Sequence, residues 1–527
     1  VISNLLQSDT MTPPSGHRAS RYQEPGFRTV VDLVDAEFDA DWKKAGLEPV
    51  ERADDLTLIR RLSLGLTGTI PSLQEIRALE AQPKGERIQW WLSHLFEDRR
   101  TADYLAERFA RSYVGVENGP FLIYRRRRFV SWLADELEGN RPYDKIVRSL
   151  ITAEGLWTNN PEVNFVTVTV DQNMEGKGPD EVKLAARVTR AFLGVRLDCV
   201  QCHDDKRDDP HWKQKDFHEL ASFFSGTDMA ISGIRETGKP YEFKYGPELE
   251  KVPKAVPFQP ELLPERGNPR HRLAQWVTHP ENRAFARATV NRVWALMFGR
   301  PLVEPVDEIP LKNSLENPYP PGLETLADDF IIHKFDLQRL IRVIAATRVF
   351  GLDSKVPPDR APPTLEHEQH WASFALSRLR PEQVAGSILQ AASLTTIDAD
   401  SHIIFRMARA IQQGEFIKHY GDIGEDEFYI QGGTVPQRLL LMNGTMVHNR
   451  IENNLVANAA ARILVTAPND AKVVEATYLA ALSRRPSAEE ADYFVRALSQ
   501  KGFLDRKAKQ EDLYWALINS TEFSWNH

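Results

Sequence analysis

Only two cysteines occur among the 527 residues of the chain, and both lie in one pentapeptide. Two residues separate Cys199 from Cys202, and His203 follows directly. Thiols at this spacing can add to the two vinyl groups of one haem, and the adjacent imidazole can then bind the iron as the proximal ligand. The pentapeptide therefore predicts one covalently attached haem c, with Cys199 and Cys202 as attachment residues and His203 as the metal ligand.

Other uses of the two cysteines stay open. A redox-active dithiol would be expected in a thioredoxin-like βαβ context, whereas the flanking sequence has helical periodicity. A structural zinc site would need further cysteines or paired histidines, and only His211 and His218 lie shortly downstream. A disulfide between the two thiols, or an inert buried pair, would also satisfy the spacing.

The ligand on the distal side of the iron would decide the role of such a haem. A methionine or histidine there favours electron transfer, whereas an open position lets peroxide or oxygen bind. The sequence offers six distal candidates: Met174, Met229, Met297, His211, His218 and His271, of which His271 is interpreted as a solvated position. Met229 lies in a predicted loop. Met297 lies on an apolar helix face, where core packing is the stronger interpretation, and His218 is likewise assigned to the core or the surface.

Composition indicates an ordinary soluble globular protein, with 42% hydrophobic and 27% charged residues and a net charge of −8. Acidic and basic residues are interspersed along the chain, so we expect neither a nucleic-acid-binding surface nor a polybasic membrane anchor. No apolar stretch approaches the roughly 18–20 residues of a transmembrane span. The chain starts at Val1 without a signal-peptide pattern, which we interpret as a trimmed or matured protein.

Helical periodicity dominates the chain. Val30, Val34, Phe38 and Trp42 share one helix face, and a second helix over 56–66 ends at Gly68. Capping signals occur at the following positions: Ser72 with Glu75, Asp180, Asp336, Thr434 with Gln437, and Ser487 with Glu490. The helix that Asp180 caps ends at Gly194 and leads directly to Cys199. Residues 164–169 are the best strand candidate because they are rich in β-branched side chains.

The expected fold class is mainly α, with two large helical regions joined by a Pro-rich connector and few short strands. The predicted division is an extended tail over 1–27, a helical region with the CxxCH motif over 28–245, the connector over 246–269, and a second helical region over 270–527. Six prolines mark the connector.

Long stretches of the chain resemble the planctomycete-type cytochrome family, in which a DUF1549 (PSCyt2) region is followed by a DUF1553 (PSD1) region. The stretches that carry the resemblance include LIRRLSLGLTGTIPSLQEI (58–76), RPYDKIVRSLI (141–151), ARVTRAFLGVRLDCVQCHDD (186–205), NPRHRLAQWVTHPENRAFARATVNRVWALMFGRPLVEPVDEI (268–309) and YLAALSRRPSAEE (478–490). The resemblance implies an exported protein that carries a haem. It implies no defined reaction.

The chain departs from the family pattern at three histidines. Family members often read CHDHPFD where this chain has CHDDKRDD, so that Asp205 replaces a histidine. Leu296 stands where the family often has the histidine of VNRVWAH, and the histidine usual before Leu323 is also missing. If these histidines form a second metal site or a distal ligand in relatives, this chain lacks it. Cys199, Cys202 and His203 are all present.

Two functions stay open at this stage. Because haem c is assembled outside the bacterial cytoplasm, the first is a periplasmic or otherwise exported electron-transfer protein or haem-dependent oxidoreductase, whose partner is a redox protein or a small molecule. The second is a polysaccharide-binding or scaffold protein with a structural or vestigial haem. The basic run 124–128 could hold a haem propionate or an anionic glycan, although a solvated helix start is the commoner use. Four tryptophans could stack on sugars but are assigned to the core: Trp90, Trp91, Trp294 and Trp371.

Overall fold

The structure is a computed structural model of the whole chain. It describes residues 22, 24–116, 124–170, 178–205, 212–314, 318–356, 360–397, 413–421, 428, 433–451, 458–499 and 502–527. Most of the predicted tail over 1–27 lies outside these residues, as do the distal candidates Met174 and His211. The first described helix begins at Phe27, at the end of that predicted tail.

Helices dominate the first region. Its α-helices are Phe27–Ala45, Asp55–Thr67, Leu73–Glu80, Arg87–Glu97, Arg99–Val114, Arg126–Glu138, Tyr143–Thr152, Asn164–Thr167, Glu181–Val188 and Gln214–Ala221. A π-helical turn spans Thr189–Leu193. The 3-10 turns are Lys84–Glu86, Pro161–Val163, Asp198–Gln201 and Ser222–Phe224.

The second region is helical as well. Its α-helices are Pro269–Val277, Arg283–Phe298, Leu323–Ile332, Leu337–Ala346, Arg348–Gly351, Leu365–Gln369, Pro381–Ala391, Val435–Asn443, Thr445–Ile451, Ala459–Thr466, Asp470–Leu482, Ala488–Leu498 and Phe503–Ile518. Residues 413–420 are also helical. The 3-10 turn Glu522–Ser524 also lies in this region, and the 3-10 turn Pro260–Leu262 lies in the connector.

Strands within the described residues are short and form antiparallel pairs. Thr227–Ala230 pairs with Gly233–Glu236, Glu242–Phe243 pairs with Glu250–Lys251, and Ser377–Arg378 pairs with Trp525–Asn526. The mainly α fold class is therefore confirmed.

Local capping chemistry explains where several helices begin and end. The Ser72 hydroxyl accepts the Glu75 backbone N–H at 3.1 Å, and the Glu75 carboxylate accepts the Ser72 N–H at 2.8 Å. The Asp180 carboxylate accepts two backbone N–H groups at the start of its helix. Gly68 adopts a left-handed φ of 67° after the helix Asp55–Thr67. These predicted helix boundaries are confirmed.

The predicted strand over 164–169 is wrong. Residues Asn164–Thr167 form a short helix that continues the 3-10 turn Pro161–Val163. All four side chains of this helix are buried, and the Asn164 carboxamide oxygen accepts the Arg125 backbone N–H at 2.6 Å. Burial on every side removes the alternation of a half-exposed strand, so β propensity does not decide the backbone here.

One hydrophobic core contains residues of both regions. Phe38 stacks on Trp294 with ring centroids 5.9 Å apart. The buried Arg61 guanidinium donates to the backbone carbonyls of Phe350, Leu352 and His527, at 3.1, 2.6 and 2.7 Å. The connector over 246–269 therefore separates the regions in sequence but not in packing. The exact bounds of the predicted regions stay a prediction.

Among the described residues, no helix is both long enough and apolar enough to cross a membrane.

Candidate functional site

Residues 198–203, called here the CxxCH turn, form an exposed turn on a buried base. Asp198–Gln201 is a 3-10 turn. The side chains of Leu197 and Val200 are buried beneath it. Cys199 and Cys202 are exposed and carry free thiols. An inert buried pair is therefore excluded, and both thiols are accessible to a reactive group from solvent.

The His203 imidazole is exposed and oriented by its own backbone neighbour. Its Nδ1 lies 2.8 Å from the Asp204 carbonyl oxygen. A carbonyl only accepts hydrogen bonds, so Nδ1 carries the proton and the lone pair of the neutral ring lies on Nε2. No hydrogen bond to Nε2 occurs among the described residues, so this lone pair is available to a metal.

His218 supports the CxxCH turn from the core. Its Nε2 lies 3.0 Å from the Gln201 carbonyl oxygen, and its Nδ1 lies 2.8 Å from the Tyr241 hydroxyl. Its ring stacks on Phe243 with centroids 3.5 Å apart. The Gln201 carbonyl requires a proton on Nε2, so Nδ1 accepts from Tyr241 in the neutral ring. Burial lowers the pKa of His218, which favours this neutral form.

Gln214 adds a second contact from the same helix as His218. Its side-chain amide donates to the Gln201 carbonyl at 3.0 Å, and its backbone N–H donates to the Asp204 carboxylate at 2.8 Å. The helix Gln214–Ala221 therefore holds both the middle of the CxxCH turn and the residue that orients His203.

The backbone that leads into the turn is held by the second region. The Ile309 N–H donates to the Gly194 carbonyl at 2.8 Å. Gly194 has a left-handed φ of 63°, and a Cβ there would lie 2.9 Å from the Ile309 Cδ1. The buried Asp307 carboxylate accepts hydrogen bonds from Arg190 and Arg196. Sequence reasoning missed Asp307, Gln214 and the supporting role of His218, since no local motif marks them.

Three of the candidates for the distal ligand that lie among the described residues are packed against the core or hydrogen-bonded within the fold. Met229 lies in the strand Thr227–Ala230 and is half-buried against the core, so its predicted loop is wrong. Strand pairing with Ile234 explains the difference. Met297 is buried, as expected for a core residue. His218 has both ring nitrogens engaged, which also weakens its use in a zinc site. Met174 and His211 lie outside the described residues.

A separate cluster of possible metal ligands is already bound by an arginine. Glu75, His94 and Asp98 each place a ligand atom within 4.8 Å of the others. The Arg100 guanidinium lies 2.5 Å from the Glu75 carboxylate and 2.6 Å from that of Asp98. Because this guanidinium already contacts both carboxylates, the cluster is interpreted as an ion-pair network.

The side chains considered for glycan binding are largely committed to the fold. Trp90, Trp91, Trp294 and Trp371 are buried, as expected for core residues. The basic run 124–128 forms the start of the helix Arg126–Glu138, and Arg126 is paired with Glu107 at 2.8 Å. Leu296, at one of the positions where the resemblance implies a histidine, is buried too.

A cleft of 1030 Å³ lies elsewhere in the fold. Its walls include the start of the helix Phe27–Ala45 and residues 48–52, 84–85 and 345–348. None of its walls belongs to the CxxCH turn. Arg52 and Asp55, two charged residues on its walls, pair with each other at 3.3 Å.

Two family models match the chain on either side of the connector. Residues 33–229 match PSCyt2, described as "Protein of unknown function (DUF1549)", and residues 269–413 match PSD1, described as "Protein of unknown function (DUF1553)". No curated protein and no solved structure shows a significant match. The two matches follow one another in the order that the sequence predicts. The chain thus belongs to the family of proteins in which a DUF1549 (PSCyt2) region is followed by a DUF1553 (PSD1) region.

Proposed function

We propose that the protein is an exported c-type haem protein that acts in electron transfer or as a haem-dependent oxidoreductase. The observation that carries the proposal is the donor set of the CxxCH turn. Two free thiols and an imidazole whose Nε2 lone pair is available lie on one short exposed turn. Covalent haem attachment requires these three groups at this spacing.

Each residue of the turn has a defined task in this proposal. The Cys199 and Cys202 thiols would hold the haem, each through a carbon–sulfur bond to one vinyl group, with the thiol proton placed on the other vinyl carbon. His203 would bind the iron through Nε2, while its Nδ1–H donates to the Asp204 carbonyl. This bond fixes the tautomer and makes the imidazole a stronger ligand. When bound, the haem supplies one-electron transfer, or small-ligand binding if its distal position is open.

Exposure of the turn supports exchange of electrons at the protein surface. Cys199, Cys202 and His203 are all exposed. A group attached there is accessible to a redox partner protein or to a small molecule. The proposed exported location rests on the chemistry of haem c attachment, which takes place outside the bacterial cytoplasm.

The alternative, a polysaccharide-binding or scaffold protein, has less support. The four tryptophans considered for sugar stacking are buried. Arg126, from the basic run, is paired with Glu107. These residues therefore offer no aromatic platform and leave fewer free cations for an anionic glycan.

The absorption spectrum of protein produced together with the c-type maturation machinery tests the proposal. We expect a Soret band that persists after denaturation and acid–acetone extraction, because the haem is covalently held. The matched control is C199S/C202S, which removes both thiols of the chain and should lose the extraction-resistant haem. Wild-type protein without a Soret band, or with haem that extracts completely, would contradict the proposal.

The response of the same spectrum to added ligand separates the two proposed roles. A spectral change on adding carbon monoxide or cyanide would indicate an open distal position and favour an oxidoreductase. An unchanged low-spin spectrum would favour electron transfer.

A further inference from the structure

Asp307 is a buried carboxylate at the contact between the two regions. It is 2% exposed, and it accepts hydrogen bonds from two arginines of the first region. The Arg196 Nε and Nη2 both lie 2.8 Å from its Oδ1, and the Arg190 Nε contacts its Oδ2. Burial alone would raise the pKa of Asp307, but the bonds and charges of these arginines lower it below its ordinary value. The carboxylate is therefore ionised and holds both guanidinium groups.

The loop that carries Asp307 is itself fixed to a core helix. Asn291, fully buried in the helix Arg283–Phe298, donates through its side-chain amide to the carbonyls of Val303 and Val306, at 2.9 and 3.3 Å. Its carboxamide oxygen accepts the Val303 N–H at 2.9 Å. The loop therefore presents Asp307 from a rigid support.

The two arginines bracket the backbone that leads into the CxxCH turn. Arg190 lies in the π-helical turn Thr189–Leu193, and Arg196 lies three residues before Cys199. Between them, Gly194 reverses the chain with its left-handed φ and accepts the Ile309 N–H. The Asp307 carboxylate of the second region thus binds residues on both sides of the bend at Gly194, and this bend sets the orientation of the CxxCH turn. π-Helical turns of this kind are often found at functional sites.

We propose that Asp307 is a positioning residue for the CxxCH turn, so that the DUF1553 region completes the haem-attachment site of the DUF1549 region. The role in haem attachment rests on the proposed function, whereas the contacts of Asp307 with Arg190 and Arg196 do not depend on a haem. Asp307 holds Arg190 and Arg196 in place, and these fix residues 190–197 and hence the direction in which Cys199, Cys202 and His203 leave the surface. A family architecture with both regions in one chain agrees with this dependence.

Asp307→Asn tests the inference, with Asp329→Asn as the matched control. Asp329 is a buried carboxylate of the same region that binds Arg339 through two bonds, at 3.0 and 2.9 Å, away from the CxxCH turn. Both substitutions remove the negative charge of a buried carboxylate that binds arginine. Only Asp307→Asn removes this charge next to the backbone that leads to Cys199.

The primary readout is hydrogen exchange in haem-free protein, which does not depend on the proposed function. The Val195 N–H donates to the Thr189 carbonyl, and the Val200 N–H donates to the Leu197 carbonyl. We expect Asp307→Asn to accelerate exchange of these two amides about tenfold, since charge-assisted bonds of this kind are among the stronger ones. Asp329→Asn should leave both rates unchanged. Equal rates in wild-type protein and Asp307→Asn would overturn the inference.

Arg196→Gln provides a second test in case Asp307→Asn fails to fold. The Arg196 side chain is 36% exposed, so its replacement should disturb the core less than a change at the buried Asp307. It removes the arginine closest to Cys199 and should accelerate the same amides. Unchanged exchange in this variant would also overturn the inference.

The second readout is the yield of covalent haem at equal amounts of folded protein. We expect Asp307→Asn to lower the yield severalfold and Asp329→Asn to leave it unchanged. A wild-type protein that takes up no haem would refute the proposed function, while the exchange rates would still decide whether Asp307 positions the turn. A normal haem yield in Asp307→Asn, together with unchanged exchange, would leave the proposed function intact and refute the role of Asp307.

Discussion

At the scale of single residues, the site depends on buried or supporting side chains that hold the reactive residues in position. Cys199, Cys202 and His203 lie on the surface, and none of them is held by packing of its own side chain. Their positions come from His218, which binds the Gln201 carbonyl inside the motif, and from Gln214 beside it. A substitution at His218 should therefore change the positions of Cys199 and Cys202.

His218→Phe should destabilise the fold by about 1–3 kcal/mol, because the Gln201 carbonyl loses one of its two donors and the buried Tyr241 hydroxyl loses its partner. His218→Gln should cost less, since a carboxamide can donate to the first group and accept from the second. Urea unfolding of the three proteins measures the difference. Equal losses for the two variants would show that packing on Phe243, and not hydrogen bonding, is what His218 contributes.

The contribution of His218 should also depend on pH. Burial lowers its pKa in the folded state, so the folded protein binds fewer protons at this residue than the unfolded chain. Tyr241 and Tyr245, which face its ring, have raised pKa values and stay neutral in this range. The stability advantage of wild-type protein over His218→Gln should be complete above about pH 6.5 and shrink as the pH falls below it. An advantage that grows on acidification would contradict this assignment.

At the scale of elements, two helix ends with the same backbone conformation differ in what surrounds them. Gly46 ends the helix Phe27–Ala45 with a φ of 68°, and nothing lies within 4 Å of an added Cβ. Gly194 ends the π-helical turn before the CxxCH turn with a φ of 63°, and an added Cβ would lie 2.9 Å from Ile309 and 3.3 Å from Ala288. The second glycine is needed for close approach as well as for its backbone angle.

Gly46→Ala should therefore cost about 1–2 kcal/mol, the price of a left-handed alanine. Gly194→Ala should cost more, because the added methyl group also crowds the Ile309 side chain and the Ala288 Cβ. Chemical denaturation compares the two. A Gly194→Ala protein as stable as Gly46→Ala would mean that the contact with the second region adjusts freely.

The sequence predicts elements well where the signal is local. Gly68, Asp180 and the Ser72 capping box act within one turn, so their helix boundaries could be read directly. The segment 164–169 could not, because its β-branched side chains face a core that the rest of the chain supplies. The sequence also predicts a loop at Met229, because the strand there forms only by pairing with the strand that contains Ile234.

For the site, the sequence supplies the reactive residues but not their supports. Cys199, Cys202 and His203 form a contiguous motif. Asp307 lies more than a hundred residues away from it in the chain, and only the packing of the two regions brings it to Arg196. Such a partner has no local signature.

At the scale of the whole molecule, the two regions share one core. Trp42 donates through its indole N–H to the His370 carbonyl at 2.8 Å, and the Arg60 guanidinium donates to the Phe523 carbonyl at 3.2 Å. A Cβ on Gly65 would lie 3.0 Å from the Leu296 carbonyl oxygen, which shows how closely the helices approach. Neither region can be removed without exposing this interface.

We expect a fragment of residues 22–257 to lack native tertiary structure. Its helix Asp55–Thr67 would lose its contacts with the second region, and the buried Arg61 would lose all three of its carbonyl acceptors. Near-UV circular dichroism and thermal unfolding of the fragment and the full chain provide the comparison. A fragment with native near-UV signals and a cooperative transition of its own would contradict a shared core.

The most direct test of the central claim is peptide mapping of mature protein by mass spectrometry. Protein made with the c-type maturation machinery is denatured, digested and searched for the peptide that contains residues 199–203. The account predicts that this peptide carries the added mass of one haem, bonded to both Cys199 and Cys202. The same peptide found only with free or mutually bonded thiols would contradict it.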